Sequence, residues 1–216
     1  MVNFLTLLGW SPGAGDRELF TRDELVGAFS LGGISGSSAV FNPEKLDWFN
    51  QQHIAGLTPD VLIERVRPSF EAAGLWEDTF LGERRAWFVS LLELFKPRAK
   101  RLTEFAAQSR FLLVDQIDYD ATAVAKHLAG MGTHLAALDA ACAALATFDA
   151  VSIEAALRGL AEERGVKAAQ LIHAARVAVT GKTVSPGLFE VFVLLGPARV
   201  HHRLTAAVQL SLALPT

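Results

Sequence analysis

Residues 176–190 read Arg-Val-Ala-Val-Thr-Gly-Lys-Thr-Val-Ser-Pro-Gly-Leu-Phe-Glu. This stretch predicts a helix end, a short loop and a new helix start, because Gly181 suits a helix C-terminus and a Ser-Pro pair suits an N-cap followed by a first-turn proline. The free N–H groups of a helix start, a glycine that permits close approach and the ring of Phe189 are the parts needed to hold splayed bases. A plain helix–loop–helix corner is equally compatible with these residues.

Helix signals continue in both directions from this corner. Thr21 and Glu24 have the spacing of a capping box, and Asn42-Pro43 and Thr58-Pro59 repeat the N-cap and proline signature. Like Gly181, three further glycines follow apolar helical stretches and suit C-terminal caps: Gly74, Gly165 and Gly196. We therefore expect an all-α protein, a helical array of roughly ten helices with at most a short extended piece near residues 39–41.

Composition supports a globular chain. The 216 residues are 51% hydrophobic and 20% charged, which excludes a disordered tail and a coiled coil. Cys142 is the only cysteine, so no internal disulfide forms. No apolar run approaches 18 residues and the first ten residues carry no basic charge, so we expect a cytoplasmic protein with no membrane association.

Charge is distributed unevenly although the net charge is only −3. Residues 1–95 and 111–163 are acidic, whereas residues 96–110 and 164–216 are basic. We call the basic stretches the first and second basic segments; their cations are Lys96, Arg98, Lys100, Arg101 and Arg110, then Arg164, Lys167, Arg176, Lys182, Arg199 and Arg203. If they meet in space they form a surface for an anionic polymer, and if not each is a solvated helix face.

Catalytic and metal motifs are missing from the sequence. Gly181-Lys182-Thr183 looks like the end of a phosphate-binding loop, but that motif needs a glycine at position 176, which is arginine. His127 and His134 are separated by glycines and lack a second ligand pair at metal spacing. We expect no catalytic residue, no metal and no cofactor in this chain.

Three stretches together resemble the bacterial glutamyl-tRNA synthetase family, whose members are class I glutamate–tRNA ligases. Residues 4–11 (Phe-Leu-Thr-Leu-Leu-Gly-Trp-Ser) are similar to a stretch beyond its catalytic domain, and residues 29–50 resemble the segment that follows. Residues 176–190 resemble the region that contacts the anticodon loop. The resemblance implies a stem-contact-like region at residues 1–55, then an all-helical anticodon-binding region in two subdomains, a first one at residues 56–112 and a distal one at residues 113–216. Gly36 departs from the family, which usually has a lysine there.

The resemblance implies a partner and an absent activity. The partner is tRNA-Glu, recognised through its anticodon arm, and no DNA is expected. The family's catalytic half uses ATP and Mg²⁺, and its motifs are missing here, so this chain alone should be inactive and would act with that half in cis or in trans. The alternative is a helical protein-interaction or scaffold module derived from such a domain.

Individual roles follow from matching positions. Arg176 resembles the arginine that reaches the first anticodon base, and Ser185 and Pro186 resemble the pair beside it. Leu188 and Phe189 are similar to residues that pack on the other two bases. Arg98 resembles the reader of the third base, with Lys100 or Arg101 as alternative matches, and an arginine there implies selectivity for tRNA-Glu over tRNA-Gln. The expected contacts to the tRNA backbone are Lys100, Arg101 and Lys182.

Overall fold

The computed structural model describes residues 1–13, 17–36 and 39–214 and confirms the all-α prediction. Three short ranges lie outside the described residues: 14–16, 37–38 and 215–216. They include part of residues 29–50, which resemble the family segment, and parts of the expected first and last regions. The described chain contains eleven α-helices: α1 (Val2–Leu7), α2 (Arg22–Ala28), α3 (Pro43–Ala55), α4 (Pro59–Ala72), α5 (Arg85–Phe95), α6 (Glu104–Leu113), α7 (Ala121–His127), α8 (Gly132–Ala143), α9 (Ala150–Glu163), α10 (Ala168–Thr180) and α11 (Leu188–Leu212). Short 3-10 helices lie at Leu31–Gly33 and Asp78–Leu81.

The extended piece expected near residues 39–41 does not pair in the described part of the chain. An isolated antiparallel bridge joins Trp10 and Ile34 instead. The N–H of Ser11 donates to the carbonyl of Gly33 over 2.9 Å beside this bridge. Gly33 permits the approach, because a Cβ there would collide with the Ser11 carbonyl and the Trp10 ring.

The predicted side-chain caps at Thr21 and Asn42 are confirmed, whereas Thr58 is the N-cap residue of α4 without a side-chain cap hydrogen bond. The side chain of Asn42 accepts hydrogen bonds from the N–H groups of Glu44 and Lys45 at 2.9 and 3.1 Å, with Pro43 in the first turn of α3. Thr21 and Glu24 form both bonds of the capping box at α2. Each satisfies backbone donors that have no partner inside the helix.

The predicted glycine stops are confirmed where the backbone turns left-handed. Gly74, Gly165 and Gly181 follow α4, α9 and α10 with φ values of 65°, 64° and 74°. Gly196 has φ 74° and ψ 162°, so it bends α11 sharply, and the helix resumes at Pro197. The predicted helix end at Gly196 is thus a kink between two helical halves.

The contacts divide the chain into two compact units, each made of two segments: Met1–Asp78 with Phe95–Ala107, and Thr79–Leu94 with the chain from Gln108 onward. These boundaries differ from those expected after residues 55 and 112. Residues 95–107 belong to the first unit because Lys96 Nζ donates to the Leu57 carbonyl over 2.8 Å and Gln51 Nε2 donates to the Pro97 carbonyl over 2.6 Å.

The core of the first unit is aromatic. Phe4 and Phe49 are 2% and 0% exposed, and their rings meet edge to face at 5.9 Å. The buried face of α4 repeats at helical spacing: Leu62, Ile63, Val66 and Phe70. A smaller cluster of Trp10, Phe20 and Leu25 lies beside α1 and α2.

The second unit is a helix bundle centred on α11, which packs on α8, α9 and α10. Its buried side chains come from all of these helices; the fully enclosed ones include Leu135, Leu138, Ile153, Leu157, Leu171, Val191, Phe192 and Leu204. Within the described ranges, no helix has the length and apolar character needed to cross a bilayer.

Candidate RNA interface

The loop between α10 and α11, residues 182–187, lies in the second unit and is fixed first at Thr180. The buried Thr180 hydroxyl donates to the carbonyl of Arg176 over 2.7 Å and accepts from the N–H of Lys182 over 3.2 Å. The chain then turns at Gly181, whose φ of 74° is left-handed and whose N–H donates to the Val177 carbonyl.

Gly181 is required by packing as well as by conformation. A Cβ at this position would clash with the backbone carbonyl of Asp118. The Gly181 carbonyl accepts from the N–H of Asp120 over 2.9 Å, and the Tyr119 hydroxyl donates to the Ala178 carbonyl over 2.8 Å. Burial raises the pKa of Tyr119, which keeps this hydroxyl a donor at neutral pH. The segment before α7 thus holds the start of the loop.

The far end of the loop is held by Arg176. Its Nη1 donates to the Pro186 carbonyl over 2.8 Å and to the hydroxyl of Ser185, which in turn donates to the Pro186 carbonyl over 2.9 Å. The Ser185 hydroxyl accepts from Arg176 and is not the cap of a helix. The predicted Ser-Pro helix start is wrong: α11 begins at Leu188, with Gly187 as its N-cap.

The predicted anticodon contacts around the loop differ in what they offer to a ligand. Lys182 is exposed, and Phe189 is half-buried. Leu188 is 3% exposed and Pro186 is buried, so neither side chain presents a face on which a base could stack. Leu188 lies in the core of the bundle, and its expected packing on a base stays a prediction.

Sequence reasoning missed a pocket beside this loop. A cavity of about 500 Å³ is lined by Lys182, Thr183 and Val184 of the loop and by Asp120, Thr122, Ala123 and Lys126 of α7 and its N-cap. Val184 is 79% exposed at its rim. The α7 residues lie more than 50 positions from the loop in the sequence, so no local pattern indicates that the two segments meet. Asp120, the N-cap residue of α7, is the sequence feature that marks the start of this helix.

One cation of the second basic segment, Arg203, does not lie on a solvated helix face. Arg203 is 2% exposed and donates to the carbonyls of Val179, Phe111 and Val114 at 2.6, 2.6 and 2.8 Å. Burial lowers the pKa of Arg203 to about 10, which still leaves it protonated at neutral pH. Arg199 Nη1 donates to the Leu112 carbonyl over 2.7 Å. Both cations donate to carbonyls near the end of α6. The buried Arg203 therefore does not contribute to a positive surface, whereas Arg199 is half-buried.

The first unit carries the other predicted contacts on the segment between α5 and α6. Arg98 and Lys100 are exposed. Arg101 donates through Nη2 to Asp47 Oδ1 over 3.0 Å, and its side chain remains 61% exposed. This pair holds the segment against α3, so Arg101 has a structural contact as well as an accessible guanidinium.

The anticodon binding domain family model matches residues 61–208, which is more than half of the chain. The matched range includes the loop at residues 182–187, Arg176 and the segment that carries Arg98. The chain therefore belongs to the anticodon binding domain family.

Its curated relatives give a more particular likeness. The glutamate–tRNA ligase of Syntrophobacter fumaroxidans is 37% identical over 210 residues, which are 97% of this chain and 43% of that protein. The glutamate–tRNA ligase of Nitratidesulfovibrio vulgaris strain Hildenborough is 39% identical over 213 residues, 97% and 44% of the two chains. The chain thus spans about two fifths of the length of these relatives.

A solved structure has the same fold. The crystal structure of a glutamate tRNA ligase from Elizabethkingia meningosepticum matches with a TM-score of 0.85 at 21% identity, covering 96% of this chain and 40% of that chain. This likeness supports the all-helical fold of the described chain.

Proposed function

We propose that this chain is the tRNA-binding portion of a glutamate–tRNA ligase and that it recognises the anticodon arm of tRNA-Glu in the cytoplasm. The catalytic half, in cis or in trans, carries out the ATP- and Mg²⁺-dependent aminoacylation. One observation carries the proposal: the range matched by the anticodon binding domain family contains a loop that is fixed at both ends and exposed in the middle.

In this proposal the loop is preorganised and Arg176 is a positioning residue. Its guanidinium connects the end of α10 to the carbonyl of Pro186, so the loop does not have to order when RNA arrives. Lys182 contacts a phosphate, and the accessible part of Phe189 supports an unstacked base. Arg98, on the first unit, is proposed to read the third anticodon base through a bidentate contact worth about 1–3 kcal/mol.

Binding to three tRNAs tests the proposal. The chain is titrated with labelled tRNA-Glu, tRNA-Gln and an unrelated tRNA at two salt concentrations. We expect tRNA-Glu to bind most tightly and all affinities to fall with salt, because phosphate contacts release counterions. Equal affinity for the three RNAs would contradict anticodon recognition by this chain.

A conservative variant isolates the role of Arg176. Arg176→Lys keeps the charge but loses the planar fork that bridges Ser185 and Pro186, so tRNA-Glu affinity should fall about tenfold with little change in the salt slope. Arg158→Lys is the matched control, since Arg158 is exposed on α9 and pairs with Glu154 one turn away. An unchanged affinity in Arg176→Lys would remove the positioning role.

A second candidate function is the protein-interaction module. It is favoured by an apolar groove of about 500 Å³ on the first unit, lined by side chains that include Val2, Leu5, Val26, Phe29 and Ile34. These five residues are between 49% and 73% exposed. An apolar protein interface would persist at high salt, whereas RNA binding would not, so the same titrations separate the two candidates.

A further inference from the structure

The connection between α6 and α7, residues 114–120, lies against the end of α10 within the second unit. The Tyr119 hydroxyl donates to the Ala178 carbonyl over 2.8 Å, and the Asp120 N–H donates to the Gly181 carbonyl over 2.9 Å. The carbonyls in the last turn of a helix have no donor within that helix. The α6–α7 connection therefore supplies donors to the end of α10 from outside.

Arg203 fixes the same connection from a second helix. Its Nη2 donates to the carbonyls of Phe111 and Val114, and its Nη1 donates to the carbonyl of Val179. Val179 follows Ala178 directly, so two consecutive carbonyls at the end of α10 are held by side chains from other segments. Both residues are fully buried, and a buried carbonyl that loses its donor is costly to the fold.

The loop at residues 182–187 starts directly after these carbonyls. Gly181 fits against the α6–α7 connection so closely that a Cβ there would meet the Asp118 carbonyl. Tyr119 is half-buried and is not among the residues that line the cavity beside the loop. Its hydroxyl thus acts on the backbone before the loop, in a place where a ligand in that cavity would not touch it.

We propose that Tyr119 is a positioning residue for RNA recognition, acting through the last turn of α10 on the loop that follows. This inference rests on the proposed function, since it adds a residue that prepares the same loop for RNA. By holding the Ala178 carbonyl, the Tyr119 hydroxyl keeps the start of the loop in one arrangement. A loop that is ordered in advance loses less conformational freedom when RNA binds, so removing this support weakens binding.

The experiment uses Tyr119→Phe, which removes the hydroxyl and keeps the ring, so the second unit should stay folded. Its affinity for tRNA-Glu should fall about fivefold, the size expected for one hydrogen bond. The salt slope should not change, because no phosphate contact is lost. Its affinity for tRNA-Glu with a substituted anticodon should fall less, because the loop contributes less to binding that RNA.

Hydrogen exchange gives a second measurement, made without RNA. The amide of Gly181 is bonded to the Val177 carbonyl and that of Lys182 to the Thr180 hydroxyl. In Tyr119→Phe these two amides should exchange about fivefold faster than in wild type, because the end of α10 opens more often.

Ser211→Ala is the matched control. The buried Ser211 hydroxyl donates over 2.6 Å to the carbonyl of Leu128, which is the C-cap of α7, at the opposite end of that helix from Asp120. Both variants thus remove one hydroxyl from a backbone carbonyl of the second unit, and both should lower the free energy of unfolding in urea. Ser211→Ala should leave the tRNA-Glu affinity and the exchange of the Gly181 amide unchanged.

The outcomes separate this inference from the proposed function. If Tyr119→Phe lowers stability but keeps wild-type affinity for tRNA-Glu, the hydroxyl has a purely structural role and the inference is wrong. Equal losses of affinity in Tyr119→Phe and Ser211→Ala would trace the effect to global stability and would also overturn it. Both results leave anticodon recognition intact as long as wild type prefers tRNA-Glu. Equal binding of all tRNAs by wild type would instead remove the proposed function, and this inference with it.

Discussion

Replacing Gly181 with alanine separates two physical reasons for glycine at the start of the loop. The first is conformational: at φ 74°, an alanine costs about 1–2 kcal/mol. The second is steric, because the new Cβ would collide with the Asp118 carbonyl. Moving this carbonyl also disturbs the hydrogen bond from Asp120 to Gly181, and such overpacking costs about 1–3 kcal/mol. We expect a total destabilisation of about 2–5 kcal/mol.

Gly165→Ala is the matched control. Gly165 also follows a helix and has φ 64°, but a Cβ there would meet nothing within 4 Å. This variant should lose only the conformational part, about 1–2 kcal/mol. Urea unfolding followed by circular dichroism measures both variants, and the difference between them isolates the clash. Gly181→Ala should also weaken tRNA-Glu binding, because the loop starts at this residue.

The reasoning would be refuted by equal destabilisation in the two variants. That result would show that the Asp118 segment moves aside without cost, and the loop would then lack the fixed start that the proposed RNA interface requires. A loss of stability in Gly181→Ala without any loss of tRNA affinity would separate the packing argument, which would stand, from the functional one.

Two further predictions concern charged groups. Arg203→Met should destabilise the second unit by about 3–5 kcal/mol in urea unfolding, because it removes a buried guanidinium that donates to three carbonyls, one buried and two half-buried. A smaller loss than that of Arg199→Met would contradict this account. The hydrogen bond from Arg17 and the α2 capping box lower the pKa of Glu24 from 4.5 to about 2. The stabilisation that Glu24 provides is therefore present above pH 4.5 and is lost as the pH falls towards 2. An NMR titration of the Glu24 carboxyl should show this midpoint, and Arg17→Gln should move it up towards 4.5; a wild-type midpoint near 4.5 would show that the pair does not form.

Sequence reasoning succeeded where a structure depends on neighbouring residues. The Asn42 cap and the glycine turns after α4, α9 and α10 use groups within four positions of each other, so local chemistry determines them. The Ser185 cap was wrong because Arg176, nine residues earlier, competes for the same hydroxyl. A competing partner on another helix cannot be seen in the local pattern.

Charge was the least predictable property. The count along the chain assigned Arg203 to a basic surface, yet its guanidinium lies inside the bundle, because the carbonyls of Phe111 and Val114, 92 and 89 residues away, need donors. This error arises because linear charge density averages over residues that the fold separates.

The frame of the loop between α10 and α11 has a consequence for engineering. Gly181 and the Arg176 bonds to Ser185 and Pro186 fix the two ends, whereas residues 182–184 are exposed between them. Those three positions can be substituted together: a library randomised there would vary the exposed side chains, while the contacts that fix the two ends of the loop stay the same. Selection from such a library on tRNA would measure how much residues 182–184 contribute to the proposed RNA interface.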